Sequence, residues 1–164
     1  MFTRKNKIKL EENEKRNRLK KEKPYVYEKI MKYDEKIKRG ESIAIVRVEY
    51  DYTCNFRCQH CCIRGFQTGN NKNKRAFTPT DMHELSRQAD ALGLAQFVIT
   101  GGEPLVFPDF DEIVKAIDPQ TFHIVSDTNG WFLDEKRAKH LKSIGVDKLQ
   151  LSLDNLIPSE HDAF

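Results

Sequence analysis

The chain has 164 residues, 38% hydrophobic and 32% charged, which is enough apolar material for one domain with a core and excludes a disordered polymer. No stretch approaches the roughly 20 apolar residues that cross a bilayer, and the basic start "MFTRKNKIKLEENEKRNRLKK" has no apolar segment behind it, so a membrane span and a secretory leader are not expected and the chain reads as cytoplasmic. The net charge of +3 is unevenly placed: residues 1–40 carry 15 Lys/Arg against 7 Asp/Glu, which leaves 13 against 18 for residues 41–164.

Upstream of Pro24 nearly every residue is charged or amide-bearing, which reads as a solvated arm without regular structure. No aromatic-basic interleaving accompanies that charge, so nucleic-acid binding is not expected. "PYVYEKIMKYDEKIKRG" then places Val26, Ile30, Tyr33 and Ile37 along one stripe of a helix over residues 24–39, opened by Pro24 and stopped by Gly40. Residues 1–40 are therefore read as a basic arm and helix preceding a domain at 41–164.

That domain alternates strands with helices. "IAIVRVEY" (43–50), rich in β-branched residues, predicts a first strand that runs into the only four cysteines of the chain. "GFQTGNNKNKRAF" (65–77) follows as a long polar loop, read either as a substrate-side lid or as a solvated connection. "TPTDMHELSRQADALGL" predicts a helix with Thr78 as N-cap, Pro79 first, Met82, Leu85, Ala89 and Leu92 along one face, and Gly93 as its stop. "QFVIT" is a second strand leading to "GGEP"; "DFDEIVKAI" is a short helix; "FHIVS" (122–126) is a third strand. "DEKRAKHLKSIG" (134–145) is a further helix and "DKLQLSLD" (147–154) a fourth strand. Residues 156–164 read as the beginning of another helix. Strands alternating with helices predict a parallel sheet, wound as an open sheet or a barrel. In such sheets ligands bind where the loops leave the carboxyl ends of the strands, and each of these loops is polar or glycine-rich: the cysteines, "TGGEP", "SDTNG" and "SLDN".

The cysteines lie in "CNFRCQHCC". Cys54, Cys58 and Cys61 form C-x3-C-x2-C, and three thiolates on one tight loop hold three corners of a four-iron cluster while the fourth iron stays open. Zinc is the competing reading: Cys58 and Cys61 make an ordinary C-x2-C pair, but a closed tetrahedral site needs two more ligands, and adjacent Cys61 and Cys62 diverge in an extended segment. Cys62 is read as a small buried or substrate-side residue, or a reactive thiol. Ser126, Asp127, Thr128 and Asn129 lie on the third-strand rim, where they face substrate or serve turn and cap chemistry. His123 reads as a satisfied core histidine rather than a base, and His83 and His140 are assigned nothing.

C-x3-C-x2-C after a first strand, "GGEP" after a second and "SLD" at the end of a fourth resemble the radical S-adenosylmethionine (radical SAM) enzymes over roughly residues 43–164. The cysteine loop is similar to that of peptide-modifying SPASM-type members and of the cyclase of molybdenum-cofactor synthesis. The resemblance implies an α/β fold, a partial (β/α)6 TIM-like barrel of which about four βα units are present, truncated after the fourth strand. It implies a [4Fe-4S] cluster on Cys54, Cys58 and Cys61, S-adenosylmethionine on the open iron, and reductive cleavage to a 5′-deoxyadenosyl radical that abstracts hydrogen from substrate. It places His60 beside the adenine, Gly101, Gly102 and Glu103 near the methionine amino group, and Ser152 at the ribose or carboxylate, with Asp154 either a cap or a contact. An electron donor such as flavodoxin or ferredoxin and a peptide or small-molecule substrate are implied as partners. The alternative is a non-catalytic iron-sulfur or zinc-binding module that keeps only the loop.

Overall fold

The computed structural model describes residues 4–41, 43–67 and 77–162. Most of the polar 65–77 loop lies outside the described residues. Among the described residues four strands, β1 (Val46–Asp51), β2 (Gln96–Gly101), β3 (His123–Thr128) and β4 (Lys148–Leu151), form one sheet in the order β1-β2-β3-β4. Every pair is parallel, in register Val48↔Ile99, Ile99↔Ser126 and Ser126↔Leu149.

Among the described residues the helices in chain order are α1 (Arg4–Glu22), α2 (Pro24–Lys38), α3 (Arg64–Gln67), α4 (Pro79–Ala91), α5 (Phe110–Ile117), α6 (Glu135–Ile144) and α7 (Pro158–His161), with a 3-10 turn at Pro104–Val106. Helix α4 begins as its sequence demands. The Thr78 hydroxyl accepts from Asp81 N at 3.1 Å, and the Asp81 carboxylate accepts from Thr78 N at 3.0 Å, a closed capping box. At its far end Gly93 takes φ +72°.

A strand order that advances in one direction, with like-handed crossovers, keeps all crossover helices on one face. The core shows this: Met82 and Ala89 of α4, Ile113 and Ile117 of α5 and Leu141 of α6 all pack on the face made by Val48, Phe97, Ile99 and Ile124. Phe97 and Phe122 meet edge-on with ring centroids 4.7 Å apart. Of the two windings that alternation allows, this is the barrel type. The sheet's other face is the interior.

The segment before Pro24 departs from expectation: it is the helix α1, not an irregular arm. It has almost no apolar stripe, and its order comes from good helix formers and from packing against α2. Arg16 pairs with Asp34 at 3.0 Å and Lys20 lies over the Tyr27 ring. The hairpin is anchored beneath the sheet. Buried Lys23 pairs with Asp147 at 2.7 Å and donates to the Gly145 carbonyl at 3.1 Å. Buried Lys29 pairs with Asp90 at 2.8 Å and stacks on Phe122.

Candidate functional site

The cysteine loop is built outward from the end of β1. Pairing with β2 shifts register between Glu49 and Asp51, and the ladder is carried past the strand by Gly102 N donating to Asp51 O at 2.8 Å and Glu103 N to Thr53 O at 2.9 Å. Both bonds require the two backbones to touch. A Cβ at Gly101, where φ is +124°, would stand 2.2 Å from Asp51 O, and one at Gly102 would stand 1.9 Å from Thr53 O. The close approach that these glycines permit is thus to the segment that launches the cysteines.

Cys54, Cys58 and Cys61 are half-buried and Cys62 is exposed. Cys61 N donates to Cys58 O at 3.3 Å and Arg64 N to Cys61 O at 3.2 Å, turning the loop into α3. Burial pushes the Cys54 thiol up from its ordinary pKa; the Phe56 N–H on its sulfur at 3.3 Å opposes this, while the charges of Glu103, Cys58 and Cys61 add to it. Among the described residues no three His, Cys, Asp or Glu side chains converge closely enough to chelate a single ion. Three thiols on one loop are a donor set that fits a cluster taking one thiolate to an iron.

Two neighbouring loops hold this one. Glu103 is 1% exposed. Its carboxylate accepts from Leu105 N at 3.0 Å, from the Thr128 hydroxyl at 2.6 Å and from Asn129 N at 2.7 Å, tying the β2 loop to the β3 loop. Asn129 in turn donates through Nδ2 to Asn55 Oδ1 at 2.9 Å, and Trp131 meets Phe56 edge-on at 5.6 Å. On the other side His60 Nε2 lies 3.4 Å from Asp154 Oδ1, and Asp154 N donates to His161 Nδ1 at 3.3 Å. Strands β1 and β4 are the two edges of the sheet, so contact between their loops means that the rim closes over its top. Ser152 is exposed on that rim, its N–H donating to Thr128 O at 2.9 Å.

The third-strand rim residues separate by face. Ser126 and Thr128 point to the helices and are buried, while Asp127 points inward. Asp127 meets Arg47 of β1 at 2.7 Å across the interior, and its Oδ1 is buried without a hydrogen-bond partner. The interior row continues with Glu49, Thr100 and Gln150. Arg47 and Glu49 carry no motif, but the alternation of "VRVEYD" marks them: apolar toward the helices, charged toward the sheet's other face.

A parallel half-barrel with three thiols at the carboxyl end of its first strand, beside a glycine pair at the end of its second, is an α/β architecture whose candidate site lies on the strand-end rim. Residues 48–160 match the family described as the Radical SAM superfamily, and the chain belongs to it. Members of that family use a [4Fe-4S] cluster and S-adenosylmethionine. The chain is similar to proteins named "Probable GTP 3′,8-cyclase": that of Thermococcus kodakarensis is 38% identical over 119 residues, covering 73% of this chain and 38% of the relative. That of Methanococcus aeolicus is 35% identical over 123 residues, covering 73% and 40%. The chain thus spans about two fifths of the length of these curated relatives. Among solved structures, BtrN in complex with AdoMet and 2-DOIA superposes with TM-score 0.57 at 25% identity, over 68% of this chain and 46% of that one. SuiB of Streptococcus suis bound to the precursor peptide SuiA gives TM-score 0.57 at 22% identity, over 82% and 30%, a likeness of fold. No helix among the described residues is long and apolar enough to cross a membrane.

Proposed function

We propose that residues 41–164 are the first four βα units of a radical SAM core, that residues 1–40 are a helical extension beneath it, and that Cys54, Cys58 and Cys61 ligate three irons of a [4Fe-4S] cluster. The observation that carries this reading is the set of three half-buried thiols at the carboxyl end of β1, backed by the Gly101–Gly102 contact. When bound, the cluster and S-adenosylmethionine supply a one-electron cleavage that yields methionine and a 5′-deoxyadenosyl radical for hydrogen abstraction from substrate.

The chain's residues hold and orient these groups. Gly101 and Gly102 present backbone acceptors to the cofactor's amino group, and Glu103 sets a negative charge beneath it. His60 takes the place beside the adenine and Ser152 the ribose or carboxylate. A charged interior of Arg47, Glu49 and Asp127 suits a polar small molecule better than a peptide, and the names of the curated relatives agree. A one-electron donor such as flavodoxin or ferredoxin supplies the reductant.

Anaerobic reconstitution with iron and sulfide, followed by dithionite and S-adenosylmethionine, tests this. Iron and sulfide in equal amounts and release of 5′-deoxyadenosine are expected; Cys54→Ser, Cys58→Ser and Cys61→Ser each abolish cluster assembly, and Cys62→Ser does not. Tight zinc with no sulfide would sink the reading.

A further inference from the structure

The cysteine loop is gripped at the turn that follows Cys54, and the grip comes from the third strand's loop. Phe56 N donates to Cys54 Sγ at 3.3 Å, so the orientation of the Asn55–Phe56 peptide decides whether this sulfur has a hydrogen-bond donor. Both side chains of that dipeptide are held from β3: Asn55 Oδ1 accepts from Asn129 Nδ2 at 2.9 Å, and the Phe56 ring packs edge-on against Trp131 at 5.6 Å. Asn129 is itself fixed twice. Its N–H donates to Glu103 Oε2 at 2.7 Å and its Oδ1 accepts from Trp131 N at 3.0 Å, so the amide cannot rotate without breaking the turn that carries Trp131. A chain of contacts runs from buried Glu103 through Asn129 to the donor on the Cys54 sulfur.

We infer that Asn129, with Trp131, is a positioning residue for the cluster: it locks the Asn55–Phe56 peptide so that its N–H stays on the Cys54 sulfur. The inference rests on the cluster reading for its consequence, not for the clamp itself. A hydrogen bond to a ligating sulfur stabilises the more negatively charged, reduced cluster, and its loss drives the potential down. A peptide free to turn also opens Cys54 to water and speeds loss of iron.

Two measurements separate the clamp from its effect. In the metal-free chain, hydrogen exchange over residues 54–62 should rise in Asn129→Ala and in Asn55→Ala, while exchange in β2 and α5 stays unchanged. Unaltered exchange in the cysteine loop overturns the clamp whatever the cluster does. In the reconstituted protein, both variants should show a more negative midpoint potential and several-fold faster removal of iron by a chelator. The double variant should go no further than Asn129→Ala alone, because the contact between Asn55 and Asn129 is already lost in that variant. Asn55→Asp, which keeps the acceptor for Asn129, should restore slow iron loss. A loosened loop with unchanged potential and iron retention overturns the positioning role while leaving the family reading intact; a wild-type chain that takes up no cluster defeats that reading, with the clamp still judged by exchange.

Discussion

Gly102 shows how a single hydrogen atom in place of a methyl group sets the position of a metal loop. With 1.9 Å between its notional Cβ and Thr53 O, Gly102→Ala must push Thr53 away, and Cys54 is the next residue. The variant should lose at least about 2 kcal/mol of stability, read by urea denaturation, and should bind less than half the iron of the wild type on reconstitution. "GGEP" is legible in sequence as a tight turn; that its glycines face the chain's own Asp51–Thr53 segment, and that Glu103 is buried and bonded three times, depends on residues about 50 and 25 positions away, which no local pattern reports. His123 carries the opposite kind of signal. Burial pushes its imidazole below the ordinary 6.5, against the pull of Asp147, and its Nδ1 is buried without a partner. The unfolded chain therefore takes up a proton as pH falls below about 6.5 while the folded chain resists it, so this residue's contribution is intact above that pH and lost on acidification toward the lowered folded value. Urea midpoints at pH 7.5 and 5.5 should differ less in His123→Gln than in the wild type.

At the scale of elements, the long helices with an apolar stripe are legible in the sequence and α1, which lacks one, is not. Helix α4 declares itself by Thr78, Pro79 and Asp81, and α5 by Phe110, Ile113, Val114 and Ile117, all buried. The first helix has instead Glu11–Lys15, Glu12–Arg16 and Glu14–Arg18 at i, i+4, spacing that supports a helix in the favourable direction but resembles the composition of a disordered tail. What decides between them is tertiary: the hairpin with α2 and its anchor at Lys23. Lys23 is buried and Asp147 half-buried, and Asp147 also accepts from Ile124 N at 2.9 Å, so Lys23→Met strands a carboxylate against the foot of β3. A loss of about 3 kcal/mol is expected, with faster proteolysis within α1 and α2. Adding Asp147→Asn should recover more than half of that loss, because the amide oxygen still serves Ile124 N and no buried charge remains; failure to recover would mean that Lys23 acts through its alkyl packing instead.

For the whole molecule, the sheet's two edges differ. The β1 end is closed above by the cysteine loop, whereas β4 has no strand on its outer side among the described residues and is exposed apart from Leu149. Leu149 still packs on the core, but Leu151, Leu153, Leu156 and Ile157 are all more than half exposed, Leu156 to 88%. Unpaired backbone groups beside a run of exposed leucines template pairing with another chain. The chain spans about two fifths of the length of the curated relatives it matches. The expected behaviour of these 164 residues by themselves is reversible self-association through β4, with sedimentation coefficients that rise with protein concentration. Leu151→Lys with Leu153→Lys places charge on that edge and should hold the chain monomeric across the same range, with far-UV dichroism unchanged, because neither side chain belongs to the core. Equal sedimentation of variant and wild type at every concentration would show that the β4 edge is shielded in solution and that the apolar run near Leu156 is folded against something nearer to hand.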